Sequence, residues 1–316
     1  MTTREKMRTI LQGGSVESFP FAPRNDGEME VVFETAKGPL SADLKLTDDM
    51  VREGITFSHV SKKLAGGIGD WEKLALIFEN LRLNADPGGY KNILSETGDD
   101  GLVASWACEI ASSMNLARRG LFNTTQFFYL YMDNKPELDA LCERITLYYN
   151  QIIDIYAASD AEVVAWGGNF DETITYPPFF EEEIRPWLWK VAEAFHSAGK
   201  KMLSHADGEN AGLMDLIKAS GIDGAESVCP APQTKLTLEK YLEAWGDSLA
   251  IIGGIPTDFL NTKQYSDDDF ESYLKDLRRM LAGPAREYRY IPGIVDAVSP
   301  LADFDRLRRV GEVVLQ

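Results

Sequence analysis

The chain has 316 residues, 50 acidic against 32 basic, giving a formal charge of −18 with 44% hydrophobic and 26% charged residues. This is an ordinary globular composition, long enough to bury a core without disulfides or metal staples. A surface this acidic repels phosphates and anionic lipid, which argues against nucleic acid and membranes as partners.

The opening segment MTTREKMRTILQGG is charged and amphipathic, with no apolar signal core. No stretch approaches the ~18 to 20 uninterrupted apolar residues of a membrane helix. Cys108, Cys142 and Cys229 are odd in number, widely spaced and without a CxxC pair. They read as free thiols of a reducing, cytoplasmic compartment.

In the first half, FPFAP (19–23) and ITFSHV (55–60) are strand candidates. PELDALCERITLYYNQIIDIYAAS (136–159) is a long amphipathic helix, with Leu141, Ile145, Tyr148, Ile152 and Ile155 three or four residues apart. From Ala161 the pattern becomes regular. EVVAW (162–166), KMLSH (201–205), IDGAESV (222–228), LAIIGGI (249–255) and REYRYIPG (286–293) read as strands. Helical segments at 179–200, 210–221, 236–246, 267–283 and 303–314 follow them in turn. Strands alternating with such helices predict a parallel sheet. Without a GxGxxG turn, the alternation predicts a single α/β domain over 1–316, a (β/α)₈ TIM barrel with an N-terminal helical extension.

In such a barrel, functional groups lie at the carboxyl ends of the strands. Those ends offer Asn169, Asp171 and Glu172, then His205 and Asp207, then Glu226 and Cys229, then the bare backbone of Gly253 and Gly254. In His205-Ala-Asp207-Gly, positions i and i+2 of an extended segment point the same way, so imidazole and carboxylate converge. With Glu226 and Cys229 from the next strand, the set suits zinc with one position open for chemistry. Asp207 alternatively orients His205. Tyr176 and Phe179, in YPPFF (176–180), are candidates to shape the mouth; His59 and His196 read as ordinary residues, and Cys108 and Cys142 as core.

The runs WGGNFDETITYPPFFEEEIRPWLWK, HSAGKKMLSHADGENAGLMDLIKASGIDGAESVCPAP and WGDSLAIIGGIPTDFL together resemble the uroporphyrinogen decarboxylase superfamily, over at least 160–310. The stretch FPFAPRNDGEMEV has one arginine, Arg24, where decarboxylases of that superfamily carry an arginine-rich motif. An octacarboxylate needs fixed cations, so the resemblance points to the other branch, the zinc-dependent methyltransferases that exchange methyl groups with a corrinoid protein. Those with thiol acceptors resemble one another in a His-x-Cys pair and a later cysteine. Here Asp207 replaces the first cysteine and IPGIVDA (291–297) lacks the second.

The resemblance therefore implies a substrate-side methyltransferase of the O-demethylase type. The expected metal ligands are His205, Glu226 and Cys229. Asp171, Glu172 or Asp26 would donate a proton to the leaving oxygen, and Asn169, Tyr176, Phe179 and Asp207 would bind the substrate. The substrate is a small methylated molecule, a methoxylated aromatic before a methylamine. Cobalamin would arrive on a separate corrinoid protein, since the chain has no DxHxxG-type motif of its own. Docking would use loops such as 22–45 and 85–100. The alternatives are a decarboxylase and a methylamine- or thiol-specific methyltransferase; the oligomeric state stays open, a homodimer included.

Overall fold

LSADLKL alternates apolar and polar residues, GEMEVVF does so only in part because it ends in Val31-Val32-Phe33, and the two flank a Thr-Ala-Lys-Gly turn. The computed structural model, which describes residues 27–52, 55, 58–296, 298 and 302–315, forms a hairpin from β1 (Gly27–Phe33) and β2 (Leu40–Leu46). β3 (His59–Lys62) adds to β2, and all three strands are antiparallel. This corrects two expectations. Within the 22–45 stretch the described residues from Gly27 onward hold paired strands, and of ITFSHV the residues His59 and Val60 join the edge of a separate sheet, with His59 exposed. The 85–100 stretch carries a helix, Gly88–Thr97. FPFAP, the N-terminal helical extension, Arg24 and Asp26 lie outside the described residues.

The second sheet is parallel. It runs in chain order through β4 (Ala104–Cys108), β5 (Val163–Gly168), β6 (Lys201–His205), β7 (Gly224–Val228), β8 (Ala250–Ile255) and β9 (Tyr290–Ile294). A consecutive order without a switch point is the order of a TIM barrel rather than of a doubly wound sheet. Six parallel strands are present among the described residues, and β4 and β9 are the sheet's ends, so the fold is TIM-barrel-like without a closed eight-stranded ring there.

Five of those strands fall where the alternation placed them, for reasons visible in the packing. All six residues of β5 are buried, as a strand covered on both faces requires. Trp166 of β5 is fully buried, donates from Nε1 to Ala111 O at 3.1 Å, and packs on Tyr149 and Phe195 with centroids 5.8 and 6.3 Å away. Those partners come from the helices Lys135–Ala157 and Arg185–Ser197, whose apolar stripes cover the sheet. Lys200, at the foot of β6, is buried with its ammonium on Ser159 O and Ala161 O at 2.6 and 2.8 Å. A smaller cluster of Ile255, Leu260, Phe270, Leu274, Leu277, Val310 and Val313 seats the last two helices. The helix Asp267–Ala282 opens with a capping box between Ser266 and Asp269 and ends before Gly283.

Candidate active site

β6 ends in His205, which lies in register beside Gly168 of β5 and Glu226 of β7. The bare backbone on the β5 side is a requirement of shape. A Cβ at position 168 would stand 2.8 Å from His205 Cβ and 3.2 Å from its carbonyl oxygen. On the β7 side, His205 Nδ1 and Glu226 Oε2 are 2.6 Å apart. With the imidazole neutral and its proton on Nδ1, Glu226 accepts that hydrogen bond and Nε2 presents its lone pair. Nε2 lies 3.6 Å from Asp207 Oδ1 and 4.0 Å from Asp296 Oδ1. The Trp106 indole, from β4, meets the imidazole edge to face at 5.6 Å between centroids.

The loops that carry these groups are tied together. Asn169 Nδ2 donates to Asp207 Oδ2 at 3.1 Å, whereas Asp207 Oδ1 is shielded from solvent with no hydrogen-bond partner. The Asp296 amide donates to the buried hydroxyl of Ser227 at 2.5 Å, anchoring the loop after β9 to β7. Asn169, Ser227 and Asp296 have φ of 57°, 60° and 53°, the three non-glycine residues in the left-handed region among those described. Each stands at the carboxyl end of a parallel strand. Such conformations cost on the order of 1 kcal/mol or more apiece, and they collect where function over-determines the backbone.

Burial lowers the pKa of His205, but its hydrogen bond to Glu226 and the negative charges of Asp207, Glu226 and Asp296 outweigh burial and raise it above the ordinary value. Burial likewise raises Asp207; the His205 charge opposes this and Asp296 reinforces it. The carboxylates thus favour a cation in their midst, whether a proton or a metal.

The other expected site residues take partners of their own. Cys229 is buried, its Sγ 3.3 Å from Ser227 O, and burial pushes the thiol up to about 12. Without a metal beside it, the thiol stays protonated at neutral pH. Glu226 is the carboxylate that orients His205. Asp171 accepts hydrogen bonds from the Thr173 amide and hydroxyl and from the Glu209 amide. Burial raises its pKa, but these bonds prevail and hold it below the usual range. Glu172 pairs with Lys235 at 3.0 Å and accepts from the Gly212 amide; those contacts lower its pKa too. Both carboxylates are thus held below their ordinary range by contacts with neighbouring loops. Phe179 is fully buried, packed against Phe127 and Tyr131, and Tyr176 rests on Phe128 and Phe179. His196 pairs with Asp223 at 2.7 Å on a helix flank.

Asp296, Gly168 and Trp106 escaped the sequence reading. The strand-end rule extended to the last strand finds Asp296; the other two carry no local signal. Among the described residues, no three His, Cys, Asp or Glu side chains stand as a ready-made metal site. The donors that could begin one are His205 Nε2 and the orphaned Asp207 Oδ1. A cavity of about 740 Å³ lies between β4 and the end of the helix Lys135–Ala157 and includes none of these groups.

No helix among the described residues is long and apolar enough to cross a membrane. No family model matches the chain, and no curated protein matches it in sequence. Among solved structures, a member of the enolase superfamily from Salmonella Typhimurium aligns over 89% of this chain and 82% of its own at 10% identity, but its TM-score of 0.26 carries no weight. A methyltransferase from Methanosarcina mazei superposes with a TM-score of 0.51 at 13% identity, over 82% of this chain and 72% of that one. At that identity the likeness is one of fold: this chain has the α/β, parallel-sheet architecture of that methyltransferase.

Proposed function

We propose that this protein is a methyltransferase that moves a methyl group from a small methyl ether, a methoxylated aromatic, to the cobalt of a corrinoid carried by a separate protein. The observation that carries the reading is the cluster at the strand ends: a carboxylate-oriented histidine facing an unpartnered, solvent-shielded carboxylate oxygen. The fold shared with the Methanosarcina mazei methyltransferase supports it.

The fit to zinc is partial but specific. Donors bonded to one zinc at about 2.0–2.2 Å stand roughly 3.4 Å apart in a tetrahedron. The 3.6 Å between His205 Nε2 and Asp207 Oδ1 is close to that, with Asp296 the nearest further carboxylate. We assign these three as the residues that would hold the ion, in place of the set His205, Glu226 and Cys229. The chemistry a divalent ion supplies at such a site is Lewis-acid polarisation of a leaving oxygen.

The chain's own residues prepare that site. Glu226 fixes the ring and tautomer of His205, the part a carboxylate plays behind a metal-held imidazole. Asn169 holds the Asp207 carboxylate by its other oxygen, leaving Oδ1 directed inward. Trp106 supplies an aromatic wall on the β4 side, which suits an aryl ether. The corrinoid protein would approach the carboxyl ends of the strands, where the loops open.

The experiment is metal analysis joined to a methyl-transfer assay with a reduced corrinoid protein and a methoxyaromatic donor. The wild type should bind about one zinc per chain and form methylcobalamin. His205→Ala and Asp207→Ala should lose both, while Cys229→Ala keeps both. Full metal and activity in His205→Ala would refute the site. Methylation from quaternary amines alone would replace the donor class, and methylation from no donor would remove the methyltransferase reading.

A further inference from the structure

A second cavity, about 410 Å³, is lined by Asn169, Asp171 and Asp207 together with three cations. Lys63, Arg118 and Arg119 meet there, three cations in a chain that is otherwise strongly acidic. The two arginines are consecutive and sit in a π-helical turn, Ala117–Leu121, continuing the short helix Ser113–Leu116. A π turn inserts a residue into a helix, and such turns occur often at functional sites.

Arg118 is the unusual member. It is 6% exposed, yet among the described residues it makes no ion pair. Its Nη2 donates to the neutral Thr175 hydroxyl at 3.2 Å, its guanidinium lies 5.7 Å from the Phe179 ring centre, and its Nε is buried without a partner. Burial, then the charge of Arg119, pushes Arg118 down to about 10 and also lowers Lys63. The other two cations are only partly answered. Arg119 spends one nitrogen on Glu109 at 2.7 Å and another on Gly168 O at 3.1 Å. Lys63 donates to Arg119 O at 2.6 Å. Burying a guanidinium without a counter-charge is costly, and natural chains seldom leave one so. A fixed fork of donors is the group that recognises carboxylate and phosphate oxygens.

We infer that this cavity holds the anionic group, a carboxylate or a phosphate, of the substrate whose reacting end lies at His205 and Asp207. The inference rests on the proposed function only for the chemistry at that reacting end; the anion pocket stands on its own residues. Asp207 and Asn169, joined by their hydrogen bond, line the pocket and belong to the strand-end cluster as well. One small molecule therefore spans the two: its anion on Arg118 and Lys63, its aromatic body between, its methyl ether at Asp207. The acidic carboxylates of the cluster repel the anion, so it enters in one orientation.

The test is a calorimetric titration without any corrinoid protein, so that failure of methyl transfer leaves it unaffected. The probes are 4-methoxybenzoate, its neutral counterpart methoxybenzene, and inorganic phosphate. The wild type should bind 4-methoxybenzoate or phosphate, and the tighter of the two identifies the anion. Methoxybenzene should bind at least about tenfold more weakly than 4-methoxybenzoate where the carboxylate is the anion, from the worth of a charge-assisted hydrogen bond. Arg118→Met should weaken the favoured anion by about tenfold or more and leave methoxybenzene unchanged, while Arg118→Lys restores part of the loss. Should Arg118→Met fail to fold, Lys63→Met reads the same pocket with a smaller loss. No binding of either anion by the wild type, or equal anion affinity in wild type and both variants, overturns the proposal.

Discussion

The two sheets of this molecule are built to different standards. In the parallel sheet, β5 is buried along its whole length, Trp166 and Phe195 are fully enclosed, and even Lys200 is satisfied by two carbonyls. In the antiparallel sheet, β2 is buried only at its two ends, and Met29, Val32 and Phe33 of β1 are 54, 48 and 38% exposed. The candidate chemistry belongs to the first. A site that must hold an imidazole between a glycine and a carboxylate to within a few tenths of an ångström needs walls that do not move, and close packing provides them.

Substitutions should expose that difference in order of size. Trp166→Ala should destabilise the protein by about 3–5 kcal/mol in denaturant unfolding, from lost burial and the cavity left behind. A loss under about 1 kcal/mol would mean that β5 is not the anchor its burial indicates. Next comes Gly168→Ala, which drives a methyl into His205. Displacing a reacting group by about an ångström costs on the order of 10²-fold in rate, so methyl transfer should fall by about that factor while the fold survives. Unchanged activity would mean that β5 yields where the close contact requires it to stand.

Glu226→Gln should weaken zinc by about tenfold, the mild end of the range for a partner behind a metal-held histidine, read by chelator competition. Complete loss of metal would instead make Glu226 a ligand. Asp223, at the other end of the sheet, tests packing without chemistry. Burial raises its pKa, but hydrogen bonds from Lys201, the Met202 amide and His196 outweigh that and lower it. A lowered carboxyl pKa contributes stability above the unfolded-state value, about 3.9, and loses it as pH falls through the folded value. Asp223→Asn should therefore cost about 1 kcal/mol at neutral pH, with the gap from wild type closing below about pH 4. A gap that stays constant down to pH 2 would show that charge has no part in it. Smallest of all, Val32→Ala in the exposed face of β1 should stay within about 0.5 kcal/mol of wild type. A cost near that of Trp166→Ala would erase the contrast between the sheets.

Much of the parallel region could be read from the chain because its signals are local. The apolar run EVVAW, the stops at Gly199 and Gly221 and the alternation of KMLSH each act within a few residues, and the strands and helices formed where they pointed. His205, Asp207 and Glu226 were nominated by the same means and do come together, since parallel strands in chain order deliver their last residues to one edge. The hairpin at 27–46 was missed because a one-sided antiparallel strand has a weak pattern, and its apolar residues remain largely exposed.

The sequence by itself therefore determined the order of elements from 161 onward and the edge at which imidazole and carboxylates gather, because hydrophobic period and turn residues are properties of neighbours in the chain. Only the tertiary structure decided which partners those groups take. Glu226 goes to Nδ1 of His205 and Cys229 turns to a carbonyl, while Asp296 arrives from β9, 91 positions after His205 in the numbering. Arg118, Arg119 and Lys63 become one cationic wall because a π turn and a distant loop meet beside Asp207. Hydrogen bonds and charge act over a few ångströms of space, whatever the separation along the chain, and so packing assigned the roles that composition and spacing could only nominate.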